Sequence, residues 1–348
     1  VKIEAQVALA ERTTLGVGGP AAHYARLESE ADLEAALRWA SAQNVTVRVL
    51  GGGSNLVVAD AGYQGLVLDT AMRGTVVDER DGAAYVRAAA GEPWDAFVAN
   101  MVERGYQGVE CLSGIPGRVG ATPIQNVGAY GQDVSETITA VRAWDRETNA
   151  ARSFSAAECA FAYRDSFFKA RGGGRYVVTE VTFRLRPHAP PAVRYGELQR
   201  HFGELEQATP TLAQVRDTVI QLRRSKSMVL DASDPNSRSC GSFFLNPVLG
   251  ASAFSAFLER FSGTGSIPQF PQPDGSVKLS AGWLIEHAGF ARGLREGNVG
   301  LSSKHALAIV AHEGARATEV RRLAERLQRG VLDRFGVQLE PEPVFWGF

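Results

Sequence analysis

The segment Leu50-Gly51-Gly52-Gly53-Ser54-Asn55 constrains this chain more than any other. Val45-Thr46-Val47-Arg48-Val49 precedes it and Leu56-Val57-Val58-Ala59-Asp60 follows it, both β-branched runs that read as strands. Three consecutive glycines are costly to order, because glycine gives up the most backbone freedom on folding. Such a loop is expected where another group must come close to the backbone. Successive N–H groups in a tight glycine turn form a concave anion site, and phosphate is the natural guest. A dinucleotide fingerprint of the G-x-G-x-x-G kind would open a helix, whereas Leu56–Ala59 reads as strand. Two readings follow from these residues: a phosphate cradle, or the turn of a plain glycine-rich hairpin.

The rest of the opening fits a small α/β unit. Thr13–Pro20 is a second glycine-dense turn, Ala21–Leu27 a strand, and Ser29 followed by Asp32 a helix N-cap with an acidic third position. Leu33, Ala36, Leu37 and Ala40 then recur at helical spacing. Strand-like runs come at Leu66–Leu68, Thr75–Val77 and Tyr85–Ala90, and Pro93 opens a helix through Glu103 with Trp94, Phe97, Val98 and Met101 on one face. The stretch from Leu112 to Gly131 carries Gly114, Gly117, Gly120, Gly128 and Gly131 with Pro116 and Pro123 but few charges. Exposed linkers are more polar than this, and long loops inside a compact domain are usually functional. It reads as a backbone wall against a flat ligand, the alternative being a plain Gly/Pro-rich connection. Strands follow at Thr139–Asp145 and Tyr176–Leu185. Between them Phe161–Lys169 sets Arg164 among aromatic residues, where it needs a partner if buried or covers the rings with its stem if exposed.

His188-Ala189-Pro190-Pro191 is the strongest punctuation and the expected domain boundary. That gives 1–188, with lobes 1–70 and 71–188, and 189–348. Beyond it come a helix from about Thr211 to Arg224, a polar loop Asp231–Arg238, the Ser239–Pro247 stretch, a strand at Ala306–Val310 and a long helix through about Leu332.

The chain's 348 residues exceed one ordinary core. A formal net charge of -1 gives no electrostatic case for nucleic acid or an anionic membrane. No apolar run is long enough to span a bilayer and no signal-peptide core stands at the N-terminus, so a cytoplasmic setting is expected. Three widely spaced cysteines fit neither a disulfide framework nor a zinc site, and the six histidines form no cluster, so no metal is expected. There is no G-x-S-x-G elbow, no P-loop and no zincin spacing after His312-Glu313. What remains is a first half rich in backbone cradles and a second half with Ser242, Asn246, His305 and Glu342 on apolar frames. That division suggests a cofactor half and a substrate half.

Leu50–Asp60, Ser113–Gly131, Tyr163–Lys169, Gly241–Pro247 and Leu339–Glu342 together, in this order, resemble the UDP-N-acetylenolpyruvoylglucosamine reductase family of bacterial cell-wall precursor synthesis. The resemblance runs from about Thr13 to Trp346. It implies an α+β fold: an FAD-binding domain of the vanillyl-alcohol-oxidase type plus a smaller α+β substrate-binding domain. It implies non-covalent FAD, with Gly51, Gly52, Gly53, Ser54 and Asn55 at the pyrophosphate. Ser113, Gly114, Ile115, Pro116, Gly120, Ala121, Gln125, Asn126, Gly128 and Ala129 would line the flavin. NADPH is the implied reductant, and a UDP-sugar carrying an enolpyruvyl group the implied substrate.

Three positions match the family's catalytic residues: Arg164 on the substrate carboxylate, Ser242 as proton donor and Glu342 beside the developing enolate. A guanidinium fork suits a carboxylate. A glutamate beside an enolate must be protonated, so burial is expected to raise its pKa. Tyr195 matches the tyrosine that covers substrate in the loop-bearing type. Lys226 is implied as a diphosphate ligand (or a helix-terminal cation), Asn246 as a substrate-amide partner and His305 as an enolpyruvyl-side contact (or a packed histidine). A flavin oxidase of alcohols or sugars on the same cofactor fold is the alternative. No histidine lies in the glycine-rich stretches where one might tether FAD.

Overall fold

The computed structural model describes residues 1–204, 209–261 and 266–348. The chain divides into two compact units, each discontinuous in sequence. The first comprises Val1–Val7, Ala21–Gly52 and Gln64–Ser225; the second comprises Ala8–Pro20, Gly53–Tyr63 and Lys226–Phe348.

The first unit is built on two sheets. One has the strand order Ile3–Ala8, Pro20–Leu27, Tyr63–Thr70, Val47–Leu50, and its last pair runs parallel, with Val47 opposite Leu66. Helix Glu30–Ala42 covers it through Leu33, Ala36 and Ala40. Ser29 caps that helix as expected: its Oγ accepts from the Asp32 N–H at 3.1 Å, and Asp32 returns the bond to the Glu28 N–H at 3.1 Å. The other sheet is antiparallel, in the order Ala150–Ser155, Ile138–Asp145, Tyr176–Pro187, Ala83–Ala89, Thr75–Arg80. Helix Trp94–Glu103 lies on it, and Trp94, Phe97 and Phe183 pack ring to ring at 5.0–5.9 Å.

The boundary expected at residue 188 falls inside the first unit. After Pro190-Pro191 the chain continues into helices Gly196–Glu204 and Leu212–Ser225. Their Leu198, Phe202, Val215 and Val219 bury against Cys111 of the same unit. The prolines follow the end of strand Tyr176–Pro187 and mark no change of core. The opening residues form the edge strand Ile3–Ala8, whose register with Pro20–Leu27 no local pattern announces.

The second unit packs around helix Ala317–Phe335, which buries Val320, Leu323, Leu327, Val331 and Phe335 against Phe243, Phe257, Leu284, Ile309 and Leu339. Gly336, at φ +70, ends it in a left-handed cap with its N–H on the Leu332 carbonyl at 2.7 Å. Leu56–Val58 runs parallel to Val344–Trp346 in a two-stranded ladder. The strands on either side of the triple glycine therefore belong to different sheets in different units. That rules out the hairpin reading of Leu50–Asn55. Among the described residues no helix is long and apolar enough to cross a membrane.

Asp60, just past Leu56–Val58, starts the long helix. Its carboxylate accepts from the Ala317 N–H at 2.8 Å and the Thr318 N–H at 3.2 Å. Burial pushes this carboxyl up, but the bonds from Thr318 and Ala317 and the Arg316 charge outweigh it and hold the pKa below its ordinary 3.8. A group with a depressed folded pKa stabilises above its unfolded value, and the contribution is lost as pH falls through the folded value. Asp60→Ala should cost about 1 kcal/mol near neutral pH, as loss of an N-cap does. Asp60→Asn should cost less, and both should flatten the loss of stability below pH 3.8. Urea denaturation over that range checks this; an acid limb unchanged in both variants would refute the cap.

Candidate functional site

The two glycine-rich stretches meet inside the first unit. A Cβ on Gly52 would stand 2.6 Å from the Gly117 Cα, so these backbones touch only because both residues lack side chains. The Ser113–Ala121 stretch is itself fixed from behind. The Trp94 N–H donates to the Gly117 carbonyl at 3.1 Å, Val119 N–H to Glu92 at 2.9 Å, and Gly120 N–H to Ala90 at 2.9 Å. The Trp94 indole N–H donates to the Leu112 carbonyl at 3.0 Å. Asp95 accepts from the Gly114 N–H at 2.6 Å and holds Arg216 in a bidentate pair at 2.6 and 2.9 Å. Arg118 pairs with Asp69 and the Thr70 carbonyl. Gly51, Gly52, Gly117 and Ala121 thus belong to one surface of main chain and small side chains, while Ser113, Gly114 and Gly120 are buried.

Further along the wall, Gln125, Asn126 and Gly128 turn toward Arg164. Ala162 and Asp165 exchange both main-chain hydrogen bonds, at 3.0 and 3.1 Å, closing a four-residue turn in which Arg164 has φ +54. The left-handed region costs a non-glycine residue about 1–2 kcal/mol. Three further bonds oppose that strain, each worth roughly 0.5–1.5 kcal/mol net, or more where charged. Asn126 Nδ2 donates to the Ala162 carbonyl at 2.9 Å, Lys169 Nζ to the Arg164 carbonyl at 2.7 Å, and Arg164 Nη2 to the Gly128 carbonyl at 2.7 Å. Together they exceed it. A strained backbone held this firmly is characteristic of functional residues. Arg164 is half-buried, and its guanidinium also stands 5.9 Å from the exposed Tyr163 ring.

Tyr195 is exposed and meets Tyr130 edge-on at 5.4 Å, beside Gly128 and Ala129. Arg223, near the end of helix Leu212–Ser225, is buried. Burial pulls its pKa below the ordinary value; Tyr130 and Asp95 oppose this, and the Arg164 charge adds to it. The clue was present, since Val215, Val219 and Arg223 are spaced by four on one helix face.

The second unit gathers the other candidates from segments far apart in sequence. Ser239–Asn246 runs between the strand Ile309–Ala311 and the Leu339–Glu342 segment. The Phe243 N–H donates to the Leu307 carbonyl at 2.8 Å. The Phe243 carbonyl accepts the Glu342 N–H at 2.9 Å, and the Leu245 N–H donates to Glu340 at 3.0 Å. Ser242 and Glu342 are therefore brought together on adjacent strands of chain, both half-buried. Asn55 grips the same place: its side chain donates to the Glu342 carbonyl at 3.2 Å, and its own carbonyl accepts the Val344 N–H at 3.0 Å. Thr14 links the early turn to both, with its N–H on the Gly53 carbonyl at 3.1 Å and its hydroxyl on Ser239 at 2.6 Å.

Lys226 and His305 are tied to each other's loops. Asp234 accepts from Ser227 at 2.6 Å and from Lys304 at 3.2 Å, while Asn236 accepts from the Ser303 N–H at 3.0 Å. Burial works against the Asp234 charge, but the bonds from Ser227 and Asn236 and the Lys304 charge hold its pKa at about 2. His305 Nδ1 accepts from the Leu307 N–H at 3.2 Å, which leaves the proton of the neutral ring on Nε2. Asn246 Oδ1 accepts the Ala281 N–H at 2.9 Å, capping helix Ala281–His287. All three cysteines are buried, and burial pushes each thiol up to about 12, so Cys240 is packing and not a thiolate.

With this geometry in place, comparison with known proteins is decisive. Residues 21–150 match the model of an FAD binding domain, and residues 234–346 match the C-terminal domain of UDP-N-acetylenolpyruvoylglucosamine reductase. The chain is 49% identical to the UDP-N-acetylenolpyruvoylglucosamine reductase of Thermobifida fusca, over 98% of this chain and 97% of that one. It is 46% identical to that of Salinispora arenicola, over 98% and 95%. The chain belongs to the UDP-N-acetylenolpyruvoylglucosamine reductase family. The crystal structure of a family member, the reductase from Thermus caldophilus, superposes with a TM-score of 0.68 at 26% identity over 99% of each chain. The expected α+β fold with an FAD-binding domain stands, and the chain is a flavoprotein oxidoreductase of peptidoglycan-precursor synthesis.

The reductase family's cofactor fits the first unit's glycine surface. Among the described residues the nearest heavy atom to a Cβ on Gly51 is the Ala121 Cβ, at 3.5 Å, an ordinary contact. Nothing in that packing requires glycine at 51, whereas a cofactor phosphate lying on its backbone would. Gly53 differs: its φ is +64 and a Cβ would stand 2.0 Å from the Arg12 carbonyl. Gly53→Ala should lower stability by about 2–4 kcal/mol. Gly51→Ala should change apoprotein stability by less than about 0.5 kcal/mol and yet lose FAD on gel filtration. Melting curves with and without added FAD separate the two; a Gly51→Ala protein that keeps its flavin would remove the phosphate role of that residue.

Proposed function

We propose that the chain reduces the enolpyruvyl ether of UDP-N-acetylglucosamine enolpyruvate to the lactyl ether, giving UDP-N-acetylmuramate, with NADPH as reductant. Gly51–Asn55 and the Ser113–Ala129 wall would hold FAD non-covalently, and the cofactor, once reduced by NADPH, would supply the hydride that the terminal vinyl carbon takes up. The first unit then carries Gly51, Gly52 and the wall together with Arg164 and Tyr195, and the second carries Gly53–Asn55 together with Lys226, Ser242, Asn246, His305 and Glu342. Arg164 grips the substrate carboxylate as a fork, so charge pushed onto that carboxylate during reduction meets a fixed cation. Glu342 shares a proton with the developing enolate oxygen. Ser242 delivers the proton to the carbon beside the carboxylate. Lys226 takes the diphosphate, Asn246 the acetamido group and His305 the enolpyruvyl side, and Tyr195 covers the bound nucleotide.

The observation that most supports this reading is the hydrogen bond between Phe243 and Glu342 at 2.9 Å. It makes the serine and the glutamate neighbours although nearly a third of the chain separates them. Arg164 supports it independently, as a strained and heavily braced arginine in the first unit.

Ser242→Ala separates the two half-reactions. Under anaerobic stopped flow, reduction of the flavin by NADPH should survive. Reoxidation by the enolpyruvyl nucleotide should slow by about 100- to 10,000-fold, as loss of a general acid does. Equal loss of both would assign Ser242 to the fold or the flavin site. A flavin reoxidised by oxygen and never by the nucleotide would favour an oxidase instead.

A further inference from the structure

The turn bearing Arg164 is braced by a charged side chain to which the reaction above gives no part. Lys169 lies on the short helix Phe167–Ala170, whose Phe167 and Phe168 are rooted among Phe154 and Tyr176 at centroid distances of 5.0–6.2 Å. Its Nζ donates to the Arg164 carbonyl at 2.7 Å and reaches Gln125 Oε1 at 3.4 Å. Ser166, at the start of the same helix, donates to the Ile124 carbonyl at 2.9 Å. The lysine thus joins three things: a rigid aromatic base, the Gln125 end of the glycine-rich wall, and the peptide leaving the left-handed residue.

Both ends of Arg164 are held, the carbonyl by Lys169 and Nη2 by the Gly128 carbonyl at 2.7 Å. A guanidinium has five N–H donors, so one anchored on Gly128 is compatible with a fork on a carboxylate. The direction of that fork depends on the Arg164–Asp165 peptide plane, because φ +54 is kept only while its surroundings impose it.

We propose that Lys169 is a positioning residue for Arg164: its ammonium group fixes the turn's peptide and so aims the guanidinium. The proposal rests on the reading of Arg164 as the carboxylate holder, and the experiment separates the two. Lys169→Met, Lys169→Arg, Arg164→Ala and the Lys169→Met/Arg164→Ala double variant are prepared as holoenzymes. Melting temperature and flavin content are recorded first. Binding of the enolpyruvyl nucleotide is read from the flavin spectrum, and each half-reaction by anaerobic stopped flow.

Lys169→Met should keep its flavin and its reduction by NADPH, bind the nucleotide more weakly, and reoxidise about 10- to 100-fold more slowly, the scale expected of a small misplacement. Lys169→Arg, which keeps a cationic donor, should recover most of that loss. On the Arg164→Ala background, Lys169→Met should slow reoxidation little further. If Arg164→Ala slows reoxidation and Lys169→Met does not, the positioning role is overturned while the Arg164 reading stands. Should Arg164→Ala leave reoxidation unchanged, both fall. Losses that multiply in the double variant would mean that Lys169 acts on its own, and overturn the proposal. If Lys169→Met loses its flavin, Lys169→Gln, a shorter neutral donor, is judged by the same outcomes.

Discussion

The parallel pairing of Leu56–Val58 with Val344–Trp346 is the constraint on which the second unit depends. It forces the chain leaving the triple glycine away from the sheet that holds Val47–Leu50. It also sets Asn55 within reach of Glu342, and Asp60 under the first turn of helix Ala317–Phe335. A side chain in the glycine segment, an early turn around Thr14 and the Pro-Glu-Pro run near residue 342 are thereby fixed to one another. None of these contacts is strong alone. Net hydrogen-bond contributions of roughly 1 kcal/mol each matter here because they share a ladder and cannot break singly.

The first unit solves a different problem, that of exposing main chain without leaving it loose. Its wall is bonded from behind by Trp94, Asp95, Glu92 and Ala90, so the small residues in front contribute shape and little else. The far end of the wall has a second use. Asn126 and Gly128 spend polar groups on the turn around Arg164, which makes the residues expected along a flavin also the scaffold of a residue expected on substrate.

Local features were legible where local physics decides them. The Ser29–Asp32 cap, the helical stripe Trp94, Phe97, Val98, Met101, and the long terminal helix stand close to where their patterns put them. Family resemblance, carried by motifs in order, pointed to the fold class and the family. What remained hidden was partner choice. A β-branched triplet such as Leu56-Val57-Val58 does not say whether its mate lies across a turn or at the other end of the chain. The His188–Pro191 punctuation follows the end of a strand, and a strand end is not a boundary when the next helices return to the same core. Arg223 was hidden for a related reason: it stands near a helix terminus, but its phase with Val215 and Val219 puts it on the buried face.

The Leu56–Val58 ladder bears on how the protein is made. As the chain emerges from a ribosome, this strand appears early and its mate only after every other segment of both units. Until then its hydrogen-bonding groups stand as an open edge, the form most prone to mispairing with other chains. Closing so long a loop is slow, since non-local pairing must wait for the intervening chain. All residues of the first unit are synthesised well before that, up to Ser225; the second cannot complete its ladder while the strand waits. Whatever shelters that edge during synthesis decides the yield of active protein.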